Sequence, residues 1–205
     1  MELKTFVKVG NISNLSDARY CAGFGVNALG FNIEPANNEA ISLQHVKEII
    51  GWVAVENIVL ECGQMLIEEL REVIEESGIN FIQIDYTSAI STLVDTSFIY
   101  RHLISNEDDV VALTKLSISG NNCKYVLIEC DNTDLFAAID SAIGRSKLSI
   151  PLLKGYGIDT TNLNDTIAHD SPFFGIAIKG SEEEKPGYKE YDDLAEILES
   201  LENDE

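Results

Sequence analysis

The chain has 205 residues, and 45% of them are hydrophobic, a share that fills a core and separates the sequence from disordered chains. Its 35 acidic residues outnumber 14 basic ones to give a net charge of −21, which repels phosphate backbones and anionic headgroups, so neither nucleic acid nor a membrane surface is expected as a partner. No apolar run reaches the roughly 20 residues of a membrane helix. The opening Met1-Glu2-Leu3-Lys4-Thr5-Phe6 lacks an apolar leader segment, and the four cysteines form no C-x-x-C, so a cytoplasmic protein with reduced thiols is expected, without structural metal or cofactor.

Short apolar, β-branched runs begin near Phe6, Ala28, Asn57, Phe81, Phe98, Tyr125, Pro151 and Phe174. Such runs fit strands buried on both faces of a parallel sheet. Helical patterns lie between them. The first runs from a cap at Ser13 or Asn14 to Gly23, the second from Ser42 to Ile50. Met65 to Ser77 presents Leu66, Ile67, Leu70, Val73 and Ile74 on one stripe and stops at Gly78. Further helices are predicted over 110–118, 135–143, 162–168 and 194–201. The segment 87–94, after the fourth strand, is short and weakly patterned, so its helix is expected to be weak or missing.

Strand and helix thus alternate about every 25 residues, which predicts an α/β fold, a single (β/α)8 TIM barrel near the minimum size of about 200 residues. A doubly wound open sheet fits the same alternation. No linker divides the chain, so one domain over 1–205 is expected. From Glu190 to Glu205 there are eight acids and no Lys or Arg. Acids at a helix C-terminus oppose its dipole, so fraying is expected there, in a solvated tail or one that docks a protein partner.

In a barrel, chemistry gathers at the C-terminal ends of the strands. The residues just beyond the apolar runs are Gly10 and Asn11, Asn32 and Glu34, Glu61 and Cys62, Asp85, Ser105, Glu129 with Cys130 and Asp131, Lys154, and Lys179. Glu61, Asp85 and Glu129 with Lys154 and Lys179 could tune one another for acid–base work, or pair as salt bridges. Cys62 and Cys130 stand at strand ends, while His45, His102 and His169 are dispersed. Gly155-Tyr156-Gly157 and the loop opening Lys179-Gly180 are the two candidates for an anion cradle.

Four segments, in order, resemble phosphoribosylanthranilate isomerase, the (β/α)8 enzyme of tryptophan biosynthesis. Val7-Lys8-Val9-Gly10-Asn11-Ile12-Ser13-Asn14-Leu15-Ser16-Asp17-Ala18 resembles its opening K-I-C-G-I-T-N-x-x-D-A. Gly23-Phe24-Gly25-Val26-Asn27-Ala28-Leu29-Gly30-Phe31 is similar to A-G-A-D-A-L-G-F, and Phe81-Ile82-Gln83-Ile84-Asp85 to V-Q-L-H-G. Gly175-Ile176-Ala177-Ile178 through Glu183, with Pro186-Gly187-Tyr188-Lys189, resembles the closing G-V-D-V-S-S-G-V-E-x-x-P-G-x-K-D.

The resemblance implies a barrel and, in the family, an Amadori rearrangement driven by a cysteine base after strand one and an aspartic acid after strand six. Here Gly10 takes the cysteine position and Glu129 that of the acid. Asp131-Asn132-Thr133-Asp134 replaces the phosphate loop G-G-T-G, Tyr156 replaces a glycine beside Gly157, and Ala177, Lys179 and Gly180 replace the polar residues around strand eight. Ala36-Asn37-Asn38-Glu39 stands where the family carries a substrate-binding Arg, whereas Glu183 matches the closing Glu.

These departures lead to the expectation of an isomerase-like barrel without the activity, serving in binding or regulation or holding another small ligand. Ligand contacts are expected from Asn11, Asn32, Glu61, Lys154, Gly155, Gly157, Lys179, Gly180 and Glu183. Two alternatives stand beside it. One is an active, divergent isomerase with Glu129 as acid and Asp85 or Cys62 as base. The other is an enzyme of another class working through the strand-end carboxylates and lysines.

Overall fold

The structure is a computed structural model; it describes residues 2–88, 93, 95–118, 122–180, 183–185, 188–189 and 192–203. Eight parallel strands close into a barrel in sequence order: β1 Phe6–Gly10, β2 Ala28–Asn32, β3 Asn57–Gly63, β4 Phe81–Ile84, β5 Ser97–Leu103, β6 Cys123–Glu129, β7 Leu152–Gly155 and β8 Phe173–Lys179. β8 returns to β1 with Phe6 opposite Gly175 and Gly10 opposite Lys179, so closure excludes the open-sheet alternative. The predicted strand starts are met within two residues.

The connections are α1 Leu15–Gly23, α2 Leu43–Ile50, α3 Ile67–Ser77, α4 Glu107–Lys115, α5 Phe136–Ile143 and the four-residue α6 Leu163–Thr166. A short antiparallel pair, β9 Glu183–Lys185 and β10 Tyr188–Lys189, follows β8 and leads to α7 Asp192–Ser200. The described residues between β4 and β5 contain no helix, as the weak pattern there predicts; residues 89–92 and 94 of that segment lie outside the described residues.

Capping sets several boundaries. The Asn14 side chain accepts from the Asp17 N–H, and the Ser42 side chain from the His45 N–H. α4 starts earlier than its apolar pattern implies, because Asn106 accepts from the N–H groups of Asp108 and Asp109 while Asp109 reaches back to the Asn106 N–H. α3 begins at Ile67, leaving Leu66 as its exposed cap rather than part of the buried stripe. Gly78 ends α3 in the left-handed conformation, φ 72°.

Two apolar cores follow from strand alternation. Val7, Val9, Leu29, Phe31, Leu60 and Ile82 face the helices. The alternate positions Ala28, Val59, Ile99, Leu127, Leu153 and Ala177 fill the barrel interior above Phe6, Phe81 and Tyr125. The interior is therefore packed rather than hollow.

The acidic C-terminal helix is docked rather than frayed. Leu194, Ile197, Leu198 and Leu201 are buried against the barrel. The Lys4 ammonium donates to the Ser200 carbonyl at 3.0 Å, the Lys4 N–H donates to the Leu201 carbonyl at 2.9 Å, and Leu3 bridges Glu202. A cation at the carbonyl end of α7 offsets the acids that the dipole disfavours. Leu198 is fully buried, so Leu198→Ala should lower unfolding free energy in urea by about 2–5 kcal/mol. A loss below about 0.5 kcal/mol would mean the segment is a detached tail.

Candidate functional site

Inward-facing side chains near the C-terminal strand ends are charged. Lys8 of β1 stands in register with Ala28 and Ala177, and these small neighbours leave room for its stem. Its ammonium reaches the Glu61 carboxylate of β3 in a close ion pair, with Lys8 1% exposed. The Asn11 N–H donates to the other Glu61 oxygen at 2.9 Å. Asn11 itself is left-handed, φ 55°, at the position where the resembling family has glycine; Asn tolerates this conformation better than other side chains. Its amide donates to Glu39 at 3.0 Å.

Gly10 and Gly30 frame this carboxylate. A Cβ on Gly10 would lie 2.5 Å from Glu61 Oε1 and 2.9 Å from Lys8 Nζ, and one on Gly30 would overlap the same carboxylate. Glu61 and Lys8 thus fill the space that a side chain at position 10 would need.

A second cluster lies across the mouth. Arg101 of β5 donates through Nε and Nη2 to both oxygens of Asp85, at 2.7 and 2.6 Å, and through Nη1 to Glu129 at 3.4 Å. The forked geometry matches guanidinium to carboxylate. Hydrogen bonding to Asp85 raises the Arg101 pKa above its ordinary value, although burial opposes this. Burial also raises Glu129 above the usual carboxylate value of 4.5, against the lowering pull of Arg101, Lys8 and Lys179. Three cations, Lys8, Arg101 and Lys179, therefore share the mouth with four anions, Glu39, Glu61, Asp85 and Glu129. The remaining cavity is about 90 Å³, and Asn32, Gln83 and Asn37 also line it. Two buried acceptors at this cavity, Asn11 Oδ1 and Gln83 Oε1, have no hydrogen-bond partner among the described residues.

Among the residues proposed from the sequence, Asn11, Asn32, Glu61, Asp85, Glu129 and Lys179 come together at the mouth. Gly155 faces the interior beside Leu127 and Glu129. Cys62 and Lys154 do not join them. Glu61 points inward, so Cys62 points outward, into the core beneath the helices, where burial holds its thiol well above the usual range. The Lys154 ammonium lies outside the barrel, 5.0 Å from the Tyr156 ring centre and 5.5 Å from that of Phe173. Glu183 opens β9, and its side chain lies outside the described residues. Lys8 and Gln83 lie within apolar runs, and Arg101 follows Phe98-Ile99-Tyr100 while still inside β5, ahead of the candidate Ser105, so the sequence reading passes over all three. His102 is buried on the helix side, its Nε2 2.9 Å from the Asp109 carbonyl.

Described residues of both candidate anion loops make contacts within the protein. Tyr156 turns away from the mouth, packs on Phe136 and donates to Asp140 at 2.6 Å. Gly157 takes φ 54° because the Phe136 ring leaves no room for a Cβ. The Gly180 N–H donates to the Gly10 carbonyl at 2.8 Å. Among the described residues no group of three or more His, Cys, Asp or Glu side chains is placed to hold a metal ion.

No protein-family model matches the sequence, and no curated protein matches it. Solved structures do match. The chain has the fold of phosphoribosylanthranilate isomerase. The enzyme of Thermotoga maritima superposes with a TM-score of 0.74 at 19% identity, covering 96% of this chain and 98% of that one. TrpF from Jonesia denitrificans gives 0.75 at 14% identity, with 96% of each chain covered. An isomerase in complex with reduced 1-(o-carboxyphenylamino)-1-deoxyribulose 5-phosphate gives 0.72 at 19% identity, covering 96% and 98%. The barrel predicted from pattern and resemblance is therefore the barrel observed, with the likeness running from end to end.

The charged mouth has a pH signature. A carboxyl whose folded pKa is raised binds its proton more tightly when folded, so it contributes a penalty that is absent at low pH and grows as pH rises from 4.5 toward the folded value. Glu129→Gln should therefore gain stability relative to the parent as pH rises from about 4 to 7 in urea titrations. A constant difference across that range would show that burial does not hold the proton on Glu129.

Proposed function

We propose that this chain is a phosphoribosylanthranilate-isomerase-like barrel that has lost the isomerase activity and serves as a binding or regulatory protein, or holds a smaller ligand in its mouth. The observation that carries this reading is the paired ion network. The Lys8–Glu61 pair and the Asp85–Arg101–Glu129 cluster fill the mouth and leave about 90 Å³, whereas pockets for ligands of phosphosugar size are about 300 Å³ or more. Opening that space means breaking charge pairs that are partly to fully buried, with about 3–5 kcal/mol for a charge left unpaired as the upper end of the cost. The side chain that supplies the base in the resembling family is absent at Gly10. The Gly180 N–H, which could face a phosphate, is spent on the Gly10 carbonyl. Small polar ligands with hydrogen-bond donors suit the two unpartnered acceptors, Asn11 Oδ1 and Gln83 Oε1.

One observation favours a second reading, an active divergent isomerase. The Glu61 carboxylate occupies the volume of a residue-10 side chain, and Glu129, with its raised pKa, stands at the acid position. Glu61 then replaces Asp85 and Cys62 as the candidate base, since Arg101 grips Asp85 through both oxygens and Cys62 faces the helices. Against it, both Glu61 oxygens are already engaged, one by the Lys8 ammonium and the other by the Asn11 N–H.

Incubation with phosphoribosylanthranilate should give a fluorescence decay no faster than the uncatalysed background, and the gene should fail to rescue a strain lacking the isomerase. A saturable rate abolished by Glu61→Gln and by Glu129→Gln would establish the second reading instead.

A further inference from the structure

A second cavity lies at the opposite end of the barrel, where the strands begin. It measures about 710 Å³, within the range of small-molecule sites. Its floor is a trio of rings in mutual contact: Phe6 and Tyr125 lie 4.7 Å apart between centroids, and Phe174 lies 5.6 Å from each. Phe174 is 51% exposed. Folding gains little from an aromatic ring left half in water, so the exposed face is surplus to the core that Phe6 and Tyr125 already close.

The charge around this floor is acidic. Glu2 and Glu56 line the cavity against one base, Lys124. Glu56 stands near enough to Tyr125 to add to the rise that burial gives its phenol. The −21 charge of the chain draws cations and repels anions over longer range. Aromatic faces carry negative potential, which a flat cation meets favourably on the ring while its charge stays near a carboxylate.

The geometry points to a binding site at the strand N-termini for a planar organic cation, laid on the Phe6–Tyr125–Phe174 rings with its charge toward Glu56 and Glu2. The site is separate from the mouth and does not depend on what the mouth does. Phe174 is the specificity-determining ring because it is the one most open to solvent.

Calorimetric titration of the full chain with three flat probes tests this: 1-methylquinolinium, neutral quinoline, and naphthalene-2-sulfonate. The cation should bind one to one, about tenfold tighter than quinoline, and the sulfonate should not bind. Phe174→Ala should weaken the cation about fivefold, and Glu56→Gln should weaken it and flatten its salt dependence. Neither position is in the buried core, so each variant is expected to keep a single cooperative thermal melt, which serves as the check on folding. Preference for the sulfonate or for quinoline, cation binding untouched by Phe174→Ala, or no binding by any probe would overturn the assignment.

Discussion

A lysine inside a β-barrel needs a counter-charge, and the rest of the mouth is arranged around that need. Lys8 is sealed from solvent, so its ammonium is stable only beside the Glu61 carboxylate. Glu61 must then lie across the barrel axis, and the glycines at 10 and 30 make the crossing sterically possible. The same strand ends bring Arg101 between Asp85 and Glu129. Two clusters of paired charges thus occupy the place where enzymes of this architecture keep open space. Breaking any one pair strands a buried charge, so the arrangement resists gradual conversion into a wide pocket.

The loops reinforce this. In an anion-binding barrel the loops after the last two strands offer main-chain N–H groups to the ligand. Here a tyrosine anchored to Asp140 and a glycine N–H turned onto the Gly10 carbonyl use those positions for internal contacts. Asp131 and Asp134 add negative charge after β6. The likeness to isomerases of known structure therefore gives the path of the chain, while the side chains at the mouth are the ground on which a different use is proposed.

The sequence made the barrel readable because strands buried on both faces show as short apolar runs at regular spacing. Phe6, Ala28, Asn57 and Phe81 are both the predicted and the observed strand starts. Helix limits were less readable: the Asn106 cap extends α4 beyond its apolar stripe, and Lys4, far away in sequence, holds the end of α7. At the mouth, Asn11, Asn32, Glu61, Asp85, Glu129 and Lys179 were legible because they follow apolar runs. Lys154 and Cys62 follow runs too, but strand parity sends them to the helix side. Lys8 and Gln83 went unseen inside their runs, and Arg101 because β5 continues past its apolar run to Leu103. Their signal was present: Lys8 leads Gly10 and Gln83 leads Asp85 by two residues, the spacing of one strand face. What no local pattern carries is the pairing of Lys8 with a glutamate more than fifty residues away.

Binding of the isomerase product analogue tests the occupied mouth most directly, because it asks for space without asking for chemistry. Calorimetric titration of the purified chain with reduced 1-(o-carboxyphenylamino)-1-deoxyribulose 5-phosphate should give only dilution heats. Saturable one-to-one binding in the micromolar range would show that the ion network opens to admit a phosphosugar and would contradict the account.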